Sequence, residues 1–173
     1  MKRAKRLYIL LGVLAVLSVA AIAVIQREEP KEKIKDSGET ILQIPYEGVT
    51  ALSWENESES LSFHKGEDGV WTYDEDEKFP VSEEKIKELL EPFEEFAAAF
   101  VIEEVEDYSQ YGLDDPVCTI HVENGEQELE IKLGNFSNMD SQRYVSIGDG
   151  KAYLVKDDPL NYFDAVLKDM LKQ

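Results

Sequence analysis

Two histidines and one cysteine are all the proton-transfer and thiol chemistry that the 173-residue chain offers near neutral pH. Cys118 and His121 stand in a C-x-x-H spacing. Along an extended strand, however, residues three apart point to opposite faces, so the two are not expected to share a metal ion or a proton. A serine nucleophile needs a neighbouring base and an exposing turn, and the sequence has no G-x-S-x-G. It also has neither a P-loop nor a G-x-G-x-x-G phosphate cradle. Carboxylates remain. Asp74, Glu75, Asp76 and Glu77 offer hard oxygen ligands to calcium but lack the spaced ligands, the glycine and the terminal glutamate of an EF-hand loop. Glu103, Glu104, Glu106 and Asp107 could supply the acid and base of a glycosidase. With 37 acidic residues in the chain, adjacent carboxylates arise by chance, and a solvated face is the simpler reading of both runs. The residues therefore point to no catalytic group, no cofactor and no metal.

Whatever the chain does must be done where its elements place it, and the strongest element is residues 7–25, LYILLGVLAVLSVAAIAVI, which hold no charge. As a helix this run reaches about 28 Å, enough to cross a bilayer's hydrocarbon core with its backbone hydrogen bonds satisfied. Four basic residues precede it, and Ala21-Ile22-Ala23 would suit a signal peptidase, so a cleaved signal competes with an anchor. The run exceeds a usual signal core and no helix breaker precedes the cut, which favours an uncleaved transmembrane anchor. Lys2, Arg3, Lys5 and Arg6 are matched in number by Arg27, Lys31, Lys33 and Lys35 beyond the span. The leading set is compact and joined by the free amino terminus, which favours a cytoplasmic tail at 1–6 and an extracytoplasmic remainder. Residues 26–40 read as a charged linker and 41–173 as one domain.

The formal net charge is −19, and because those four basic residues lie before the span, the chain beyond it carries −23. Such an excess repels phosphate backbones, which excludes nucleic acid as a partner. A single cysteine excludes an intrachain disulfide and any zinc site built on several thiolates.

The domain reads as α+β: antiparallel hairpins and a meander packed with two amphipathic helices. Short apolar runs at 41–44, 49–54, 61–64 and 70–73 are strand candidates, with Leu52 and Trp54 on one side and Leu61 and Phe63 likewise. Trp54 and Trp71 are expected to be core anchors. Ser82 is placed to cap a helix whose face is Ile86, Leu89, Leu90, Phe93 and Phe96 or Ala97, which Pro92 should kink or divide near Glu88. Residues 101–105 lead away extended. A two-residue turn at Asn124-Gly125 pairs Ile120 with Leu129 and Cys118 with Ile131, and His121 with Glu128 and Thr119 with Glu130 on the reverse face. A second turn at Asp149-Gly150 pairs Val145 with Leu154 and Ile147 with Ala152, placing Tyr144 and Tyr153 on the reverse side. The last helix starts with Asp158 as cap and Pro159 at its first position and carries Phe163, Val166, Leu167, Met170 and Leu171 as its stripe. The stretches VWTYDEDEKFPVSEEKIKELL and AYLVKDDPLNYFDAVLKDML share a strand, an acidic proline-bearing loop and a helix, as a degenerate repeat would.

Between the halves stands YSQYGLDDP at 108–116, in which Gly112 suits a positive φ and Pro116 admits the next strand at its edge. Structural punctuation is the favoured meaning, with Tyr108 and Tyr111 as an alternative lip for a partner. In order, GVWTY before a capped helix, YGLDDP, LGN and RYVSIGDGKAYLV resemble the bacterial domain of unknown function 4340 family over roughly residues 41–171. Tyr111, Gly112, Leu113 and Pro116 match its most recognisable motif. The resemblance implies a membrane-anchored extracytoplasmic protein. Some relatives accompany transport-system components of the kind associated with gliding motility, and many carry the unit more than once. It implies no catalytic residue.

The expected function is thus a non-enzymatic binding or scaffolding domain held outside the cell membrane by residues 7–25, an accessory to a membrane complex such as an ABC-type transporter. Tyr108, Tyr111, Gly112, Leu113 and Pro116 are its candidate partner surface. The competing expectation is a cell-envelope hydrolase or glycan-acting enzyme working through acidic residues, and a third is a calcium-responsive surface domain.

Overall fold

The computed structural model describes residues 33–56, 59–125 and 127–170. The expected anchor at 7–25 and the basic tail at 1–6 lie outside the described residues. Among the described residues no helix is long and apolar enough to cross a membrane.

Among the described residues nine strands form one wholly antiparallel sheet: β1 (Lys33–Leu42), β2 (Val49–Asn56), β3 (Ser60–Lys65), β4 (Trp71–Tyr73), β5 (Phe96–Glu103), β6 (Cys118–Asn124), β7 (Gln127–Ser137), β8 (Gln142–Ser146) and β9 (Ala152–Val155). Their order is β1-β5-β9-β8-β7-β6-β2-β3-β4. Helices α1 (Glu83–Glu94) and α2 (Pro159–Met170) meet one another and close the principal core, where Phe93 and Phe163 stand edge to face at 6.1 Å. The α+β architecture is the one expected from the alternating apolar runs.

Alternation works as expected in β2 and β3, where Leu52, Trp54, Leu61 and Phe63 are all buried. Trp71 is buried too, and its Nε1 donates to Tyr46 Oη at 2.9 Å. In α1 the faces of Ile86, Leu89, Leu90 and Phe93 are completely buried. The expected kink near Glu88 does not divide the helix. Pro92 sits in the last turn, where it forfeits the bond to the Glu88 carbonyl, and the helix stops two residues later at Glu94. Phe96 and Ala97 consequently belong to β5, which runs from Phe96 to Glu103 rather than over 101–105.

Both hairpin registers differ from expectation. In β6–β7 Ile120 pairs with Ile131, Cys118 with Leu133, His121 with Glu130 and Thr119 with Lys132, and Asn124 pairs with Gln127. The turn is one residue further along than Asn124-Gly125, because Asn124 is held in the ladder opposite Val49 of β2. Each partner moves by two, so faces are preserved. In β8–β9 the slip is of one residue: Val145 faces Tyr153 and Tyr144 faces Leu154. Tyr153 therefore enters the helix-side core with Val155, while Ala152 and Leu154 turn to the other face. A five-residue connection replaces the tight turn, and within it Asp149 accepts a hydrogen bond from the Tyr153 hydroxyl.

Strand β1 begins at Lys33, inside the stretch read as a charged linker, and pairs with β5. An edge strand can carry charge because one of its sides meets water, and shifts in its register blunt the edge further.

Candidate functional site

The residues of YSQYGLDDP lie on the sheet face opposite the helices. Tyr108–Tyr111 form a short 3₁₀ turn capped by Asp107, whose carboxylate accepts from the Ser109 amide at 2.9 Å and from its hydroxyl at 2.6 Å. Those two donors hold the Asp107 carboxyl below its ordinary pKa, the hydroxyl foremost. Tyr111 and Leu113 are buried against Ile102, Ala152 and Leu154, and the Tyr111 ring packs on Tyr144 at 4.8 Å. Tyr108 and Pro116 are half-buried.

This turn is clasped to LGN. Gly112 has φ of 67°, and a Cβ there would lie 2.6 Å from Asn135 Oδ1. A Cβ on Gly134 would lie 2.3 Å from the Tyr111 carbonyl oxygen, with the backbone of Gly112 next to it. Gly134 leaves room for the main chain at Tyr111 and Gly112, and Gly112 supplies a positive φ and leaves room for the Asn135 side chain. Two motifs whose glycines stand 22 positions apart in sequence are thus one contact in space.

From that contact a chain of bonds crosses to the helix side. Arg143 on β8 donates from Nη1 to the Gly134 carbonyl at 2.6 Å and from Nε to Asp158 Oδ1 at 2.7 Å. The two side chains are 10% and 5% exposed. Asp158 Oδ1 also accepts from the Leu160 amide at 3.0 Å, which makes it the cap of α2, with Pro159 next. The capping expected from the sequence is therefore present, and its carboxylate has a second partner that the sequence reading missed. The signal was available: Arg143 is the one arginine after residue 27, and a planar, permanently charged group inside an apolar strand asks for a buried carboxylate.

Beside this pair opens a cleft of about 410 Å³, between the β7–β8 hairpin, the start of α2 and Pro92 of α1. Phe136, Pro159 and Tyr162 give it apolar walls; Lys156, Asp157, Asp158 and Asn161 give it polar ones. Phe136 is 41% exposed, and the Arg143 guanidinium lies 5.6 Å from its ring centroid. Tyr162 donates its hydroxyl to Glu91 of α1, a bond that, with burial, raises its pKa to about 12. Ser141 at the hairpin end takes a left-handed φ of 54°. The cleft continues past Pro92 and Asp157 into a groove bearing Glu91, Glu94 and Glu95. Chemically this is a concave binding surface with a few fixed polar groups.

The other residues with candidate chemistry are dispersed. Cys118 is buried in the helix-side core, and His121 is half-buried on the outer face. His64 pairs with Asp74 at 2.5 Å. Glu75 accepts from Tyr73, and Asp76 from the Lys78 amide, so that acidic loop spends its carboxylates on its own turns. Glu104 is exposed with a φ of 59°, and Asp107 caps its turn. Among the described residues no three metal-ligating side chains converge.

The model of the family described as Domain of unknown function (DUF4340) matches residues 71–173, a span that begins at β4 and contains both the clasp and the cleft. The match starts later than residue 41, where the resemblance in motif order had placed it. No curated protein and no solved structure matches the chain.

Proposed function

The chain belongs to the DUF4340 family, and from that premise we propose that it is a binding or scaffolding domain, held at the outer side of the cell membrane by residues 7–25 and accessory to a membrane complex such as an ABC-type transport system. One observation carries the binding role. The cleft at the start of α2 combines apolar walls with a buried, hydrogen-bonded charge pair at its side, which is the construction of a recognition surface. The clasp supports the cleft rather than competing with it: Tyr111 and Gly112 fix Gly134, Gly134 engages Arg143, and Arg143 orients Asp158. The uncharged run at 7–25 supports the anchor, and the compact basic group before it supports an extracytoplasmic domain.

The test is gentle purification of the full-length protein from membranes, followed by identification of what travels with it. Constant membrane-complex subunits are the expected result, and a protein that is always solitary would contradict the proposal. A reporter active only in the cytoplasm, fused after Gln173, should stay silent; strong signal would place the domain inside.

A further inference from the structure

The buried charge of the cleft beside α2 is already served, since Asp158 is paired with Arg143, and the same guanidinium lies over the Phe136 ring. What the cleft keeps open is apolar: Pro92, Phe136, Pro159 and Tyr162 line a volume of about 410 Å³. Beside it the β7–β8 hairpin holds an apolar side chain out into water. Among the described residues the exposed large apolar side chains are Val70, Phe136 and Met139, and Met139, between β7 and β8, is 94% exposed. The loop that carries it is tied. Ser137 Oγ donates to Asp140 Oδ2 at 2.8 Å, the Asp140 amide donates back to Ser137 Oγ at 3.4 Å, and Ser141 takes its left-handed φ of 54°. A strained residue and two hydrogen bonds that fix a loop around a solvated thioether are an arrangement for presenting it.

We infer that the cleft takes Met139 from a second copy of this chain, an assignment that rests on the anchored binding-domain reading above. A hollow and a protruding side chain adjacent on one surface are what a two-fold contact requires, because each copy then gives the knob and receives it. The chemistry of the two matches. A flexible, polarizable thioether packs well against rings such as those of Phe136 and Tyr162. Lys156 on the cleft wall would meet Asp140, which follows Met139 in the entering loop. The acidic excess of each copy opposes their approach in dilute solution. Anchoring in one membrane offsets that repulsion by raising the local concentration.

The experiment uses the full-length chain reconstituted in phosphatidylcholine vesicles at a high and a low protein-to-lipid ratio, so that a second copy is the only protein present to cover the cleft. Hydrogen peroxide is added, and sulfoxide at Met139 is followed by peptide mass spectrometry. An inserted thioether is withdrawn from the oxidant, so Met139 should oxidise about tenfold more slowly at the high ratio than at the low one. Phe136→Ala, which removes a cleft wall, and Lys156→Glu, at an exposed position, should each return the high-ratio rate to the low-ratio value. Glu130→Gln on the open sheet face should leave the protection unchanged. Lys156→Glu carries the test if Phe136→Ala fails to fold. A rate independent of the ratio, or protection that survives both substitutions, overturns the second-copy assignment. Protection found only in native membranes overturns it as well and leaves the cleft to another membrane protein, which the copurification above then identifies.

Discussion

Two strands of the sheet hand the chain to a helix, and they do it in opposite surroundings. From β4, at the sheet's edge, nine residues wander through Asp74 to Ser82 before α1 begins; from β9, near its centre, three residues suffice before α2. The long joint meets water. Its cap, Ser82, makes no side-chain hydrogen bond, and the Glu83–Lys87 pair that follows is more than half exposed. The short joint is closed around the Arg143–Asp158 pair, and Asp158 serves helix, strand and cleft at once. These are the two halves of the sequence's degenerate repeat, so the likeness in pattern conceals a difference in use. An edge joint can spread its charges in solvent, whereas a central one must neutralise whatever it buries.

That contrast is most sharply broken by removing one charge of the buried pair. Arg143→Met leaves Asp158 uncompensated and should cost about 3–5 kcal/mol, read as a fall in the denaturant midpoint at constant m-value. Loss below that range would show that the pair is better solvated than its burial implies. Next in size are the caps. Asp158→Ala should destabilise α2's start by more than the roughly 1 kcal/mol typical of a cap, because it also strands Arg143, while Ser82→Ala should fall at the bottom of the cap range. Calorimetry of the two variants side by side measures the difference, and equal losses would erase the distinction between the joints.

A smaller effect is common to both and is read by pH. Burial, then the bond to Glu75, raises Tyr73, the last residue of β4 before the long joint, to about 12, and the Glu91 bond, then burial, raises Tyr162 by the cleft to the same region. An ordinary phenol ionises near pH 10, so in the unfolded chain these groups lose protons first. Their stabilisation is therefore complete below about pH 10 and is lost as pH rises through about 12. Tyr73→Phe and Tyr162→Phe should each flatten the alkaline loss of stability, and absorbance at 295 nm in the folded protein should show late-titrating phenols, Tyr153 among them, with one fewer in each variant. The smallest effect is at Lys87. Replacing it with Met should leave the denaturant midpoint almost unmoved, since the Glu83 pair is screened by water.

How much of this was legible depended on whether residues met water on one side. Strands β2 and β3 alternate between core and solvent, and their faces could be read directly. In β9 all four residues, Ala152 to Val155, are buried, because helices cover one face and the Tyr111 turn covers the other. With no polar side to mark, a one-residue slip leaves no trace in the pattern, and Tyr153 and Leu154 were assigned to the wrong faces. The β6–β7 turn moved because Asn124 is committed to a third strand, a partnership that local turn chemistry does not express. Gly112 and Gly134 were both visible as motif glycines, but that Gly134 makes room for the Tyr111–Gly112 main chain and Gly112 for the Asn135 side chain is a fact of the crossing alone. The cleft was the least legible feature, since Phe136, Asp158 and Tyr162 come from three elements and carry no common spacing.

The comparison of the two joints has one direct functional test. A photoreactive benzoylphenylalanine is placed at Asn161 on the rim of the cleft, or at Glu77 in the long joint, of the full-length protein in its own membranes, and adducts are resolved by mass spectrometry. The account predicts a defined protein adduct from position 161 that disappears with Phe136→Ala, and none from position 77; adducts only from position 77, or from neither, would contradict it.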